Sequence, residues 1–240
     1  MTGFVSVFGN SHMATVRRAA MEAAEKQVKF FPIKNEPGFT VKDHILSSEF
    51  TGADACFFAF AGNMHNVLGV VNHPVPFDFD LDAECSAGYE ARIGTLAKDR
   101  EIIPFQQMKQ AMQARIAQNL TSRLKAMAAA AKVPCFVLQA PPPLGSEDHM
   151  RAHPSKFKQE MDARGISPPN IRLKLWLLQS RCIQETASEC GATVVPVPPD
   201  SVREDGLLRE DYSSEKDPTH GNTRYGAAVL AQIMALRPVN

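Results

Sequence analysis

The sequence predicts an α/β fold: a mostly parallel five-stranded sheet with helices on both faces, giving a three-layer α/β/α sandwich. Two patterns carry this expectation. Apolar runs of strand length alternate with helical segments, and that alternation builds parallel sheets. The run at residues 53–61 (ADACFFAFA) is almost unbroken in its apolar character, as a strand covered on both faces requires. The 240 residues suffice to bury one proper core, so a single domain over 1–240 is expected.

The elements follow in order. Residues 3–9 (GFVSVFG) read as the first strand. Residues 11–26 read as a helix with small residues Ala14, Ala19, Ala20, Ala23 and Ala24 along it. Residues 28–32 and 53–61 are the second and third strands. Residues 105–132 form a long helix rich in Ala, Met, Gln and Lys, all good helix formers. Residues 133–140 are the fourth strand, stopped by Pro141, Pro142 and Pro143. Residues 170–190 are a second long helix, with Gly191 placed to take its C′ position. Residues 193–198 are the fifth strand and residues 222–236 the last helix. Segments 66–100, 141–169 and 200–216 are the least committed to regular structure. In open α/β sheets ligands bind outside the carboxyl ends of the strands, so the loops after strands 1, 3, 4 and 5 should surround a site.

Composition narrows the function classes. Lys and Arg number 26, and Asp and Glu number 26, which removes the electrostatic footprint of a nucleic-acid or polybasic membrane binder. No apolar run approaches the roughly 18 residues of a membrane span. The start has no basic region, and Asn10, Ser11 and His12 soon interrupt its apolar stretch, so it reads as a core strand and not a signal peptide. The cysteines Cys56, Cys85, Cys135, Cys182 and Cys190 are odd in number and contain no CxxC, so neither a disulfide framework nor a zinc knuckle is indicated. Cys56 and Cys135 sit in strand-like runs and read as buried, inert thiols. A cytoplasmic location is expected.

Three segments could carry chemistry. Gly9-Asn10-Ser11-His12 follows strand 1, where a serine at a helix N-terminus would have its oxyanion favoured by free N–H groups. The competing role for Ser11 is a helix cap. The patterns GxGxxG and GxSxG are both absent. Gly62-Asn63-Met64-His65-Asn66 follows strand 3. Asn63 there either donates its amide to an oxyanion or stabilises a turn. Asp217-Pro218-Thr219-His220 precedes the last helix. Its spacing puts Asp217 and His220 on one side of a turn, so Asp217 can fix the imidazole tautomer. Together the three supply nucleophile, base, orienting carboxylate and oxyanion donor on the predicted ligand edge.

On these residues the sequence resembles the SGNH (GDSL-type) hydrolase superfamily. Gly9-Asn10-Ser11-His12 resembles the block with the nucleophilic serine. Ala61-Gly62-Asn63-Met64 resembles the block with the oxyanion asparagine, and Asp217-Pro218-Thr219-His220 matches the terminal DxxH block. Asn10 and Met64 stand where the family blocks carry aspartates. The resemblance implies a parallel five-stranded α/β/α sandwich with flavodoxin-like strand order and metal-free ester hydrolysis. It implies catalytic Ser11, Asp217 and His220. It implies oxyanion donors from the Ser11 N–H, the Asn63 amide and a glycine N–H. Gly38 fits the chain order for that glycine and also fits a type II turn.

The expected activity is hydrolysis of a small-molecule or carbohydrate ester with no metal and no cofactor. An acyltransferase using the same apparatus, or a non-catalytic ligand-binding module on the same fold, are the alternatives. Residues 65–79 combine His65, Asn66 and His73 with apolar side chains, and Pro74 and Pro76 stiffen them, so His65 and Asn66 are expected to contact substrate. The other possibility is a helix start or buried loop. His149 and His153 lack the glutamate of a zinc helix. Arg172, Lys174 and Trp176 read as the edge of an amphipathic helix, and Met108, Met112 and Met127 as core filler.

Overall fold

The structure, a computed structural model, describes residues 3–33, 52–59 and 62–238. In chain order its main elements are β1 (Val5–Gly9), α1 (Ser11–Glu22), β2 (Val28–Pro32), β3 (Ala55–Ala59) and α2 (Met64–Gly69). Next come β4 (Phe77–Phe79), α3 (Ala83–Ser86), α4 (Glu90–Ile93), β5 (Glu101–Ile103), α5 (Phe105–Ile116) and α6 (Ser122–Ala130). The chain continues through β6 (Cys135–Leu138), α7 (Glu147–Ala152), α8 (Lys158–Arg164), α9 (Pro169–Glu189), β7 (Thr193–Val195) and α10 (Thr223–Ala235).

Five strands form one parallel sheet in the order β2-β1-β3-β6-β7. This is the flavodoxin-like order, and it reverses direction between β1 and β3. Both of these strands are buried at every position. Side-chain alternation sorts the core into two layers. Val5, Val7, Phe57 and Leu138 face α1 and α10, meeting Met13, Val16, Tyr225 and Ile233. Phe8, Cys56, Phe58 and Val137 face α5, α6 and α9, meeting Met112, Leu124, Leu178 and Ile183. Met108, Met112 and Met127 are core residues, as the sequence suggests. Two glycines permit close approaches. A Cβ at Gly9 would lie 2.6 Å from the Ala59 carbonyl oxygen, at the carboxyl end of the sheet. A Cβ at Gly226 would run into the Thr15 carbonyl, where α10 crosses α1.

The structure departs from the sequence expectation in three places. The long helix of residues 105–132 is split into α5 and α6 by a π-helical segment, Ala117–Thr121, that propensity does not reveal. Segment 66–100 is ordered: α2 opens it, and β4 pairs in parallel with β5 in a small second sheet. Phe79, Leu81 and Ile93 join the core from this segment, which accounts for its fixed course. Finally, Arg172, Lys174 and Trp176 do not edge an amphipathic helix. All three are buried, because α9 is covered by the sheet on one side and by the segments around it on the others. Each has a partner: Arg172 donates to the Ser167 and Leu144 carbonyls, Lys174 pairs with Asp78 at 2.7 Å, and Trp176 Nε1 donates to the Ala140 carbonyl at 3.0 Å. The C-terminus of α9 is as expected, with Gly191 at φ 68°.

Burial pushes the Cys56 thiol up to about 12 and the Cys135 thiol up to about 11, so both are inert as nucleophiles at neutral pH. Among the described residues, no helix is long and apolar enough to cross a membrane.

Candidate active site

The reversal of strand order leaves a crevice at the carboxyl ends of β1 and β3, and the candidate residues gather there. A cavity of about 260 Å³ opens at this edge. Its walls include Ser11 and His12 after β1, Asn63 and Met64 after β3, and His220 before α10.

Ser11 is the first residue of α1, and Asn10, not Ser11, occupies the cap position. The Ser11 hydroxyl is therefore not consumed as the cap of this helix. It is exposed on the cavity wall, beside the first amide N–H groups of α1, which have no intrahelical acceptor. Asn63 occupies the cap position of α2 but makes no side-chain capping bond. Its backbone carbonyl accepts from the N–H groups of Asn66 and Val67, and the residue lines the cavity. The turn needs the glycine before it: Gly62 sits at φ 76°, a conformation that side chains with a Cβ rarely adopt.

Asp217 and His220 form the best-defined contact of the site. Asp217 Oδ1 lies 2.7 Å from His220 Nδ1. The same oxygen accepts from the Thr219 N–H at 2.8 Å and from the Thr219 hydroxyl at 2.7 Å. Burial opposes ionisation of Asp217, but the hydrogen bonds from His220 and Thr219 outweigh it and hold its pKa down to about 2. The carboxylate is thus charged across the physiological range and fixes the proton of the imidazole on Nδ1. His220 Nε2 is left buried and without a hydrogen-bond partner among the described residues, while the ring shares the cavity wall with Ser11.

His65 and Asn66, expected to contact substrate, stand behind the cavity wall. Both are buried. The His65 N–H donates to Gln179 Oε1 at 2.8 Å, and Gln179 Nε2 donates to the Gly62 carbonyl at 3.0 Å. Asn66 Nδ2 donates to the Thr219 carbonyl at 3.3 Å. The periodicity of a short helix accounts for this: Asn63 and Met64 open onto the cavity, and the next two positions turn inward. Their contacts tie α2 to α9 and to the Asp217–His220 turn. Gly38 lies outside the described residues.

Several residues escaped the sequence reading. Thr219 was legible only as a spacer in the DxxH block, and Gln179 as one polar residue within a helix. His12 lines the cavity next to Ser11, with its ring centroid 5.9 Å from that of Tyr225. Burial first, and the neighbouring His220 second, lower its pKa to about 4, so it is neutral at pH 7. Arg115 and Arg123 come from α5 and α6 and also line the cavity.

No protein-family model matches the sequence, and no curated protein matches it significantly. Solved structures do match. A Streptococcus pneumonia protein assigned as a platelet activating factor aligns at TM-score 0.54 and 14% identity, over 98% of this chain and 84% of its own. An extracellular lipase from Streptomyces rimosus aligns at TM-score 0.50 and 13% identity, over 97% of this chain and 99% of its own. A GDSL-like lipase from Bacteroides thetaiotaomicron overlaps at TM-score 0.48 and 15% identity, over 98% and 87%. The chain shares its overall fold with the first two of these proteins. Within that fold, Ser11, Asn63 and His220 come from three separate parts of the chain and meet on one cavity.

Proposed function

We propose that the protein is a serine hydrolase of carboxylic esters. The observation that carries this reading is the Asp217–His220 pair beside a serine at a helix N-terminus, on a cavity that also holds the uncommitted amide of Asn63. Ser11 Oγ attacks the ester carbonyl as His220 Nε2 takes its proton. Asp217 accepts the Nδ1–H bond and stabilises the imidazolium. The Ser11 N–H and the Asn63 amide, with Gly38 as the further backbone donor, hold the oxyanion of the tetrahedral intermediate. Collapse breaks the ester C–O bond, and His220 returns its proton to the departing alcohol. Water, deprotonated by His220, then attacks the acyl-serine and releases the acid, leaving Ser11 protonated again.

The cavity of about 260 Å³ suits a small acyl group. An O-acyl group on a carbohydrate is one substrate of that size. Transfer to a second alcohol would use the same apparatus.

The test is labelling with a fluorophosphonate and turnover of p-nitrophenyl acetate, each repeated with Ser11→Ala. Labelling at Ser11 alone is expected, with loss of turnover to the residual level that positioning gives without a nucleophile. Labelling at another serine, or full turnover by Ser11→Ala, overturns the assignment. A panel of acetylated sugars beside p-nitrophenyl esters of rising chain length identifies the substrate class.

A further inference from the structure

Ser11 and His220 stand between two depressions of different character. One is the cavity of about 260 Å³ that Asn63 lines. Beyond the candidate catalytic residues its lining is largely apolar, with Met64, Ile116, Leu120, Ala140 and Pro141, alongside Arg115 and Arg123. The other is a wider groove of about 540 Å³. Ser11, Thr15, His220 and Gly221 line both. Among the described residues that line the groove, only Ala14 and Gly221 lack a polar side chain.

Helix periodicity builds one bank of the groove. Residues 11, 14, 15 and 18 recur at the spacing of a single α-helical face, so Ser11, Ala14, Thr15 and Arg18 form one stripe of α1. The stripe runs roughly 10 Å along the helix from the nucleophile to Arg18. The opposite bank is segment 214–217, which leads into His220, with Asn222 and Thr223 at the start of α10. Arg18, Glu215 and Lys216 are exposed. The lining offers hydroxyls, an amide and charges of both signs, so it presents donors and acceptors together. A polyol matches such a surface, because each of its hydroxyls both donates and accepts. An apolar alcohol would strip water from these groups and replace none of its hydrogen bonds.

The chemistry fixes which part of an ester lies on which side. The oxyanion of the tetrahedral intermediate turns toward the Asn63 amide, and Asn63 lines the cavity but is not among the described residues of the groove. The leaving oxygen must meet His220 Nε2, which gives it a proton as the C–O bond breaks. The groove follows the segments on either side of His220. We propose that the groove is the alcohol site: the ester turned over at Ser11 has a small apolar acyl group, held in the cavity, and a polyhydroxylated alcohol such as a sugar ring, held in the groove. This rests on the esterase reading above and adds to it a class of alcohol and a site for it. Arg18, Lys216 and Thr223 contact the alcohol away from the reacting carbonyl, so their contribution is to selection among esters.

The experiment compares matched esters on the intact protein. Methyl 6-O-butyryl-glucopyranoside is set against cyclohexylmethyl butyrate, which keeps the acyl group and a six-membered ring but has no hydroxyls. Each kcat/KM is divided by the rate constant of hydroxide-catalysed hydrolysis, which removes the intrinsic difference between the leaving alcohols. The expected ratio is about 10–100-fold in favour of the sugar ester, the size of two ordinary hydrogen bonds. It should fall toward one in Arg18→Leu/Lys216→Met/Thr223→Val, mainly through KM. Exchange of butyryl for octanoyl on both alcohols should change kcat/KM by one common factor in the wild type and in that variant, because the acyl group lies elsewhere. A change of fold would lower both esters and leave their ratio intact. Ser11-dependent turnover with no preference for the sugar ester, or a preference untouched in the triple variant, overturns the inference and leaves the esterase reading standing. No Ser11-dependent turnover of any ester and no fluorophosphonate labelling overturns both.

Discussion

Lys174→Met tests whether the ion pair between α9 and the small second sheet holds the part of the chain that carries α2. Lys174 and Asp78 are 1% and 0% exposed at their side chains and 2.7 Å apart. Asp78 also accepts from the Phe79 N–H at 2.7 Å and the Ala97 N–H at 3.0 Å, so the carboxylate has three protein donors. Methionine fills most of the lysine volume but removes the cation and leaves a buried carboxylate with two amide donors. Breaking a buried pair from one side costs about 3–5 kcal/mol. At about 2–4 °C per kcal/mol for a chain of this size, Tm should fall by roughly 6–20 °C. Urea unfolding followed by circular dichroism measures the free energy directly. The cycle is closed with Asp78→Asn, which keeps an acceptor but removes the charge. The double variant should be less destabilised than the sum of the singles, by at least about 1 kcal/mol of coupling. A Lys174→Met loss below about 1 kcal/mol, or full additivity, would refute the reasoning.

Other expectations follow from the site. Asn63→Ala should lower kcat by about 10²–10³ with little change in KM, since the side chain makes no capping bond whose loss would unfold α2; an unfolded variant on thermal melting would point to a structural role instead. Thr219→Val removes the hydroxyl donor to Asp217 while Thr219→Ser retains it, so kcat should fall in the first and recover in the second. Gly226→Ala should destabilise by about 1–3 kcal/mol in denaturant unfolding, because its Cβ meets backbone on α1. Stability should also fall with acid before any carboxylate of the site is protonated. Burial lowers His65 from 6.5 to about 4 in the folded chain, so between those values the unfolded chain takes up a proton that the folded chain refuses. The contribution is fully present above pH 6.5 and lost as pH falls toward 4, on the order of 3 kcal/mol in all. His65→Gln should flatten that part of the profile measured by urea unfolding. Asp217, held down to about 2, loses its contribution only as pH falls below its unfolded value near 3.8.

Which residues form the sheet, and which loops surround the site, was legible in the sequence because both depend on local pattern. The unbroken apolar character of β3, the glycine at the end of β1, the Gly191 terminus of α9 and the short DxxH spacing are properties of a few consecutive residues. Backbone sterics and hydrophobic burial act on them wherever the chain goes. The Asp217–His220 pair belongs to this class, since three residues of turn suffice to join it. What lies between distant segments was not legible. Arg172, Lys174 and Trp176 look like a polar helix edge until the partners Leu144, Asp78 and Ala140 are known, and those lie 28 to 96 residues away. His65 and Asn66 share the composition of a pocket wall, yet the rotation of a short helix turns them inward, toward Gln179 and the Thr219 carbonyl. The π-helical segment between α5 and α6 leaves no mark in helix propensity, because the same residues favour α-helix throughout. The sequence by itself determined the strands of the parallel sheet and the loops in which the candidate site residues lie. The tertiary structure alone decided which polar side chains are buried with partners and which face the cavity, because burial and pairing are set by contacts between segments that the sequence keeps apart.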